Sequence, residues 1–300
     1  MPFVAVAPWR QQYFDARCPD DLLIPADDPP TWDLYPERRW LHNKLAVCAT
    51  QDMPHGPHGT QPPAYPVFSK PIYNLRGMGA GGRIIGSDEE YRASSTPGHM
   101  WMPVLTGPHV STDLALAAGQ VCWCRQTTGI PAGQGMFDYW IVHAEAMPEL
   151  EAYLGDWIER CLGGFTGVVN IETIGGRIIE CHLRMSDQWI DLHGPGWLAA
   201  VVDLYATGRW QLAEHRRTGY SVVLFGPPRA IPHVDPGIVA ECLAIDAVSS
   251  IQLTFDASRP AAEHAMPPGG FRWAIVNCWD LEVGIRTRTE LRRRLAPSGR

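Results

Sequence analysis

The sequence lacks the features that mark nucleic-acid-binding, membrane and secreted proteins. Its 25 lysine and arginine residues are outnumbered by 32 acidic residues, which gives a net charge of −7. Because a nucleic-acid binder normally needs a basic face, this balance argues against a nucleic-acid partner. No stretch approaches the roughly 18 uninterrupted apolar residues of a membrane span, so we expect no membrane partner. The first residues have no basic start and no sustained apolar run, so we also expect no signal peptide.

The eight cysteines lack the spacing of a metal or redox motif. No two of them are arranged as C-x-x-C, and the nearest pair, Cys122 and Cys124, is separated by one residue. This pattern argues against a structural zinc site. Scattered cysteines fit a reduced, cytoplasmic protein with buried thiols.

Hydrophobic residues make up 45% of the sequence, which is enough for a core. The sequence also contains both strand and helix patterns. The order of the patterns predicts an α+β fold in which helices cover antiparallel sheets. We expect helices at 39–50, 150–162, 196–207 and 289–295 and a helix start at Ser87. We expect strands at 67–71, 84–85, 100–105, 109–116, 119–125, 137–144, 166–174 and 177–184.

The chain divides by composition into four predicted parts. Residues 1–38 are rich in proline and aspartate and predict an irregular arm, with one short strand near 3–7. A first lobe follows at 39–98 and a second at 99–210. Residues 211–300 predict an α+β extension that packs on the core.

The densest chemical signal is a hairpin around Gly175 and Gly176, a strong two-residue turn. In a strand, residues two apart share a face, and the turn brings the two polar faces together. The polar residues on these faces are Asn170, Glu172, Glu180, His182 and Arg184. Carboxylates at this density suit Mg²⁺, although an ordinary solvent-facing strand with salt bridges would show the same pattern.

A second signal lies upstream, where Lys70 ends a strand and a glycine-rich segment, 74–83, follows. Glycines let backbone N–H groups approach a phosphate, and a lysine adds a point charge. The segment is not a P-loop, because no Gly-Lys-Ser/Thr ends it. It is also not a dinucleotide fingerprint, because no helix opens at the glycines. Alone, it fits an ordinary loop as well as a ligand site.

Taken in order, these motifs resemble the ATP-grasp superfamily over about residues 40–210. The hairpin is similar to the metal-binding hairpin of biotin carboxylase and carbamoyl phosphate synthetase. Lys44 and Lys70 resemble the two phosphate-binding lysines, and 77–83 resembles the loop that closes over ATP. The segment 100–105 is similar to the hinge strand that holds adenine by its backbone. Segments 109–113 and 194–208 resemble the strand after the hinge and the helix after the hairpin.

The resemblance implies two α+β lobes around a nucleotide cleft, and a ligase that uses ATP and Mg²⁺ or Mn²⁺. Such enzymes activate a carboxylate as an acyl phosphate, which an amine or other nucleophile then attacks. The partners would be a small-molecule carboxylate and a nucleophile, and a homo-oligomer stays open. The implied nucleotide contacts are Lys44, Lys70, Gly77, Met78, Gly79, Gly81, Met102, Pro103, Val104 and His109. The implied metal ligands are Glu172, Glu180 and His182, and the implied catalytic residues are Lys70, His182 and Arg184.

The sequence departs from the family pattern at several positions. His182 stands where the family usually has asparagine, and the hinge at Met102 and Pro103 lacks the usual acidic residue. Gln188 stands near a glutamate of biotin carboxylase-like enzymes, which disfavours carboxylation of biotin. The 38 residues before the match are too few for the α/β domain that usually comes first.

Two other functions therefore stay open. The first is a degenerate ATP-grasp protein that binds nucleotide without ligase turnover. The second is a phosphotransferase. After the hairpin, Asp187, Asp191 and His193 could border a substrate pocket or simply start a helix.

Overall fold

The computed structural model describes residues 3–4, 10, 13–14, 16–213 and 215–295. The strand expected near 3–7 is present at Phe3–Val4, and residues 5–7 lie outside the described residues. None of the helices in the described part of the chain has the length and apolarity that crossing a bilayer requires.

The elements of the first third of the chain are short. In chain order they are β1 (Phe3–Val4), β2 (Ile24–Pro25), α1 (Asp28–Leu34), a 3-10 helix (Pro36–His42), α2 (Lys44–Ala49), β3 (Gly56–Pro57), β4 (Val67–Pro71), β5 (Arg83–Ile85), α3 (Asp88–Ala93) and β6 (His99–Pro103).

The elements of the rest of the chain are longer. They are β7 (His109–Ala117), β8 (Gln120–Gly133), β9 (Met136–Val142), α4 (Pro148–Cys161), β10 (Gly167–Ile174), β11 (Arg177–His182), a 3-10 helix (Ile190–His193), α5 (Trp197–Thr207), β12 (Gly219–Gly226), α6 (Pro236–Leu243), β13 (Val248–Leu253), a 3-10 helix (Ala261–Glu263), β14 (Phe271–Cys278) and α7 (Leu281–Arg294).

Strands β3 to β6 form a small four-stranded sheet in the order β3-β6-β4-β5. Its core-facing side chains include Met100 and Met102, which pack with Cys48 and Met53 near helix α2. Strand β4 has the bounds that the apolar pattern predicts, and its last polar residue is Lys70. This sheet therefore carries Lys70 next to the helix that begins with Lys44.

The second sheet has eight strands in the order β11-β10-β7-β8-β9-β12-β14-β13, and all its pairs are antiparallel. The predicted hairpin is present as β10 and β11. Gly175 and Gly176 take the positive φ angles of 56° and 77° that its turn needs. Glu172 pairs with Glu180, and Asn170 pairs with His182, so the polar residues share a face as expected. This pairing requires a β-bulge between Glu172 and Thr173, because an unbroken ladder from the turn would place Glu172 opposite Ile179.

The eight-stranded sheet continues beyond residue 210, the predicted end of the second lobe. Strand β12 pairs with β9, and β14 then pairs with β12, so strands from 219–278 extend the sheet that contains the hairpin. The four-part division of the chain stays a prediction. The sheet itself passes from the predicted second lobe into the predicted extension.

Several expected elements differ in the structure, among them the strand expected at 119–125, which continues to Gly133 as β8. The arm at 1–38 contains helix α1, which Asp27 caps and which has proline in its first turn. The helix expected at 39–50 is broken at Asn43, whose backbone is extended and whose side chain accepts hydrogen bonds from the N–H groups of Leu45 and Ala46. The basic C-terminal helix begins at Leu281, earlier than expected, because Asp280 caps it.

Candidate active site

A cavity of about 640 Å³ lies between the two sheets. Both sheets line it. The four-stranded sheet contributes Phe68 and Lys70, and the eight-stranded sheet contributes the hairpin. The glycine-rich loop lines it from Asn74 to Gly82, except for Leu75 and Gly81. A cavity of this size between two sheets is large enough for a small-molecule ligand.

Two buried lysines meet the carboxylate of Glu180 inside this cavity. Lys44 Nζ lies 3.5 Å and Lys70 Nζ lies 4.0 Å from Glu180 Oε1. Lys70 also donates a hydrogen bond of 3.0 Å to the backbone oxygen of Ile179. Burial lowers the pKa of Lys70, the charge of Glu180 opposes this, and the charge of Lys44 adds to the lowering. Two ammonium groups this close, with one carboxylate between them, leave positive charge for an anionic ligand.

His182 is held by a buried carboxylate from helix α1. Its Nδ1 donates a hydrogen bond of 2.8 Å to Asp28 Oδ2, and Arg184 Nε lies 3.3 Å from Asp28 Oδ1. Burial alone would raise the pKa of Asp28, but the charges of Arg184 and His182 and the His182 hydrogen bond hold it well below its usual range. The carboxylate therefore fixes the ring so that Nε2 points away from it.

The Nε2 atom of His182 is buried without a hydrogen-bond partner among the described residues. It lies 3.6 Å from Glu180 Oε2 and 3.9 Å from Glu172 Oε1. Glu172 in turn accepts a hydrogen bond of 3.0 Å from His109 Nε2. Burial would raise the pKa of Glu172, but the hydrogen bond and charge of His109, with His182 and Arg184, lower it to about 2.

Asp113 on β7 joins the hairpin to the segment that follows it. Its buried carboxylate accepts hydrogen bonds from Asn170 Nδ2 at 2.9 Å and from the backbone N–H of Ser186 at 2.8 Å. It also accepts them from Trp189 Nε1 at 2.9 Å and His193 Nε2 at 3.2 Å. Burial opposes ionisation of Asp113, but these bonds lower its pKa. His193 therefore supports the site from behind and does not face the cavity.

Comparison with known proteins connects this architecture to solved structures. No protein-family model matches the sequence, and no curated protein matches it. An L-amino acid ligase from Bacillus licheniformis matches 87% of this chain and 73% of its own, with a TM-score of 0.62 at 14% identity. An N5-carboxyaminoimidazole ribonucleotide synthetase from Thermus thermophilus matches 93% and 77%, with a TM-score of 0.60 at 15% identity.

A third structure is the biotin carboxylase domain of the 2-oxoglutarate carboxylase from Hydrogenobacter thermophilus, in complex with MgADP, ADP and bicarbonate. It matches 92% of this chain and 70% of its own, with a TM-score of 0.59 at 13% identity. All three are ATP-grasp enzymes. The chain has the ATP-grasp fold. The two α+β lobes that the motif order implied are thereby confirmed.

Within this ATP-grasp fold, most of the predicted site residues come together at the cavity. Those that line it are Lys44, Lys70, Gly77, Met78, Gly79, His109, Glu172, Glu180, His182 and Arg184. Gly81, Met102, Pro103 and Val104 are not among the lining residues. The Met102 side chain is buried in the core of the small sheet. A hinge contact from this segment would have to come from its backbone and stays a prediction.

Of the three residues after the hairpin that could border a substrate pocket, one lines the cavity. Asp187 lines the cavity, where it pairs with Arg10. Asp191 accepts a hydrogen bond of 2.6 Å from Asn277 Nδ2 and does not line the cavity. Because Asp187 and its partner Arg10 both line the cavity, we count Asp187 among the candidate site residues.

The cavity residues that sequence reasoning missed include Arg10, Asp28 and Arg272. Asp28 could have been found, because an aspartate followed by two prolines is a helix-start signal. Arg10 and Arg272 are isolated arginines in unremarked segments, and no local pattern points to them. They reach the cavity only because distant segments of the chain come together.

Proposed function

We propose that the protein is an ATP- and Mg²⁺-dependent ligase that activates a carboxylate as an acyl phosphate for attack by an amine or another nucleophile. The observation that supports it best is the meeting of Lys44, Lys70 and Glu180 in one cavity beneath a glycine-rich loop. The solved structures with this fold include an amino acid ligase and a carboxylase domain that binds MgADP.

In this proposal the two lysines hold the nucleotide phosphates. Each is nearly buried, so its charge acts at low dielectric and is worth more than on a surface. The glycines at 77, 79 and 81 have positive φ angles, which a side chain would strain, and so the loop can bring N–H groups close to an anion. Together they supply the positive charge that phosphoryl transfer requires.

The residues present also fit a divalent cation. Among the described residues no three His, Cys, Asp or Glu side chains already converge as a ready-made metal site. However, Mg²⁺ typically takes one or two carboxylates and completes its shell with phosphate oxygens and water. Glu172, Glu180 and the partnerless Nε2 of His182 would hold the ion, and the imidazole suits Mn²⁺ better than Mg²⁺. When bound, the ion would neutralise phosphate charge.

Arg184 is the cationic side chain beside this group, and Asp28 fixes its position. Burial would lower the pKa of Arg184, but Asp28, Asp27 and Asp187 raise it further above its usual range, so it stays charged throughout. A fixed guanidinium can bind two oxygens of a carboxylate or phosphoryl group at once. We assign Arg184 to the acyl carboxylate or to the phosphoryl group that is transferred to it.

The proposal is tested by ADP release from pooled small acids and amines, with and without Mg²⁺. An acyl phosphate would be trapped by hydroxylamine as a hydroxamate. We expect ADP release only when acid and metal are both present, and none from Glu180→Gln. The exposed Glu159→Gln is the matched control and should keep full activity. ADP release that does not depend on any acid would overturn the proposal.

A second candidate function is nucleotide binding without turnover. It is favoured by the lysines themselves, because both ammonium groups lie against the carboxylate proposed as a metal ligand. ATP binding that is measured directly, with no ADP release for any acid in the panel, would establish this candidate.

A further inference from the structure

The carboxylates that line the cavity are engaged by cationic or hydrogen-bonding groups of this chain. Glu180 lies against the two lysines, and Asp187 accepts a hydrogen bond from Arg10. Asp28 and Glu172 are held by the groups described above. Glu263 lies 3.6 Å from Arg259.

Arg272, on β14, lines the cavity without an acidic partner among the described residues. Its side-chain hydrogen bond there runs from Nη1 to the Gln188 side-chain oxygen at 3.4 Å, and its Nε is buried with no partner. Burial lowers the pKa of Arg272 to about 10, and the nearby charge of Arg10 lowers it too, against a weaker opposite effect of Asp187. A buried cation without an acidic partner destabilises the folded protein unless an anionic ligand binds to it.

Hydrogen bonds fix the side chains around Arg272, which itself lines the cavity. Gln188 is fixed by a hydrogen bond of 3.1 Å from its Nε2 to Ser221 Oγ. His264 also brings no negative charge, because an imidazole is neutral or cationic; its Nδ1 lies 3.1 Å from the backbone oxygen of Pro260, and its Nε2 accepts from the backbone N–H of Asp256 at 3.0 Å. The side chain that contacts Arg272 therefore provides a hydrogen bond, and the negative charge nearby, that of Asp187, is paired with Arg10.

Arg272 is also separate from the hairpin. In the eight-stranded sheet, β7, β8, β9 and β12 lie between the hairpin strand β10 and β14. The charge of Asp187 acts on both Arg184 and Arg272, but its hydrogen bond is with Arg10, which also donates to Gln252 Oε1 at 2.7 Å. The cavity is therefore lined by cationic side chains from two strands that are far apart in the sheet order.

We propose that Arg272, with Gln188 beside it, binds a second anionic group of the substrate, so that the acid activated at the hairpin carries a further carboxylate or phosphate at its other end. This assignment rests on the proposed ligase function for the role of the first carboxylate. It names the substrate class as small dianionic acids. An Arg side chain suits either anion, because its planar fork binds two oxygens at once.

The test compares acids of equal chain length that differ by one charge. Binding of succinate against butyrate, and of glutarate against valerate, is measured by calorimetry, together with inorganic phosphate to separate the two sources of the anion. We expect wild type to bind each dicarboxylate about 10- to 100-fold more tightly than its monocarboxylate partner. Tight binding of phosphate with no preference among the carboxylates would assign the subsite to a phosphorylated acid.

Arg272→Gln should reduce dicarboxylate affinity to that of the monocarboxylate, and Arg272→Lys should restore part of it. The exposed Arg209→Gln is the matched control and should leave all affinities unchanged. Because Arg272 has no acidic partner to lose, Arg272→Gln should not lower the melting temperature. A large fall in melting temperature would make Arg272 a structural residue and overturn the proposal.

Failure of this inference can be told from failure of the proposed function. ADP release with monocarboxylates, at rates equal to those with dicarboxylates, would overturn the second subsite and leave the ligase function standing. Arg272-dependent binding of succinate in a protein that binds no ATP would overturn the ligase function and leave the second subsite standing.

Discussion

Asp28 is the side chain on which two cationic groups of the candidate site depend, and Asp28→Asn is our sharpest test of the structure. The carboxylate is 2% exposed. It accepts a hydrogen bond from His182 and lies 3.3 Å from Arg184. Asparagine keeps the size and shape of the side chain but removes the negative charge. The substitution therefore leaves Arg184 without the carboxylate that lies beside it.

The size of the effect follows from this geometry. At 3.3 Å and an effective dielectric constant of about 20, the attraction between Arg184 and Asp28 is about 5 kcal/mol. The cost of burying the carboxylate offsets part of it, and removal of one member of a buried pair typically costs about 3–5 kcal/mol. We expect the free energy of unfolding to fall by about 3–5 kcal/mol in Asp28→Asn.

The assay is urea unfolding of the variant and of Asp33→Asn at pH 7. Asp33 is the matched control because it undergoes the same chemical change on the same helix. Its side chain is exposed, and its ion pair with Arg39 has a distance of 4.0 Å. We expect Asp33→Asn to stay within about 0.5 kcal/mol of wild type. Equal losses in the two variants would refute the reasoning.

The pH dependence gives a second check on Asp28. Because its pKa in the folded protein is lowered, its contribution is present above the unfolded-state pKa of about 3.9 and is lost as the pH falls towards the folded value. The stability difference between wild type and Asp28→Asn should therefore be constant near neutral pH and narrow below about pH 4. A difference that persists unchanged in acid would mean that the carboxylate does not carry it.

Three further predictions concern the candidate site itself. Lys44→Ala and Lys70→Ala should each raise the calorimetric Kd for ATP about tenfold or more and leave the Kd for adenosine unchanged, because a lysine binds the phosphates and not the base. Equal losses of affinity for both ligands would indicate misfolding. Glu180→Gln should abolish Mg²⁺-dependent ADP release with an unchanged circular dichroism spectrum, because an amide is a weaker ligand for a hard cation. His182→Asn should keep or raise activity if His182 contacts metal or phosphate, and should lower it about 10²–10⁴-fold if His182 is a general base. Full activity in both hairpin variants would place the active site elsewhere.

The hairpin could be predicted because everything that defines it is local. Gly175 and Gly176 set the turn, and a period of two then assigns Glu180 and His182 to one face. The pairing of Glu172 with Glu180 also depends on a β-bulge between Glu172 and Thr173, which neither rule contains. Lys70 could be placed for the same reason, since a short apolar strand ends at it.

Arg272 and Arg10 could not be predicted because their positions depend on long-range pairing. Arg272 reaches the cavity only when β14 pairs with β12 and β12 with β9. Arg10 is held there by Asp187 and Gln252, which are 177 and 242 residues away in sequence. No periodicity within a short window contains this information.

Arg10 and Asp28 show how side chains from a short segment can complete the wall of a cavity. A cavity wall needs only a few side chains that are anchored elsewhere. Asp28 is anchored by His182 and Arg184, and Arg10 by Asp187. In each case the anchoring partner is itself a cavity residue. The contacts that hold the arm in place are therefore the same contacts that orient the charged groups of the site, and the arm and the hairpin form one electrostatic unit.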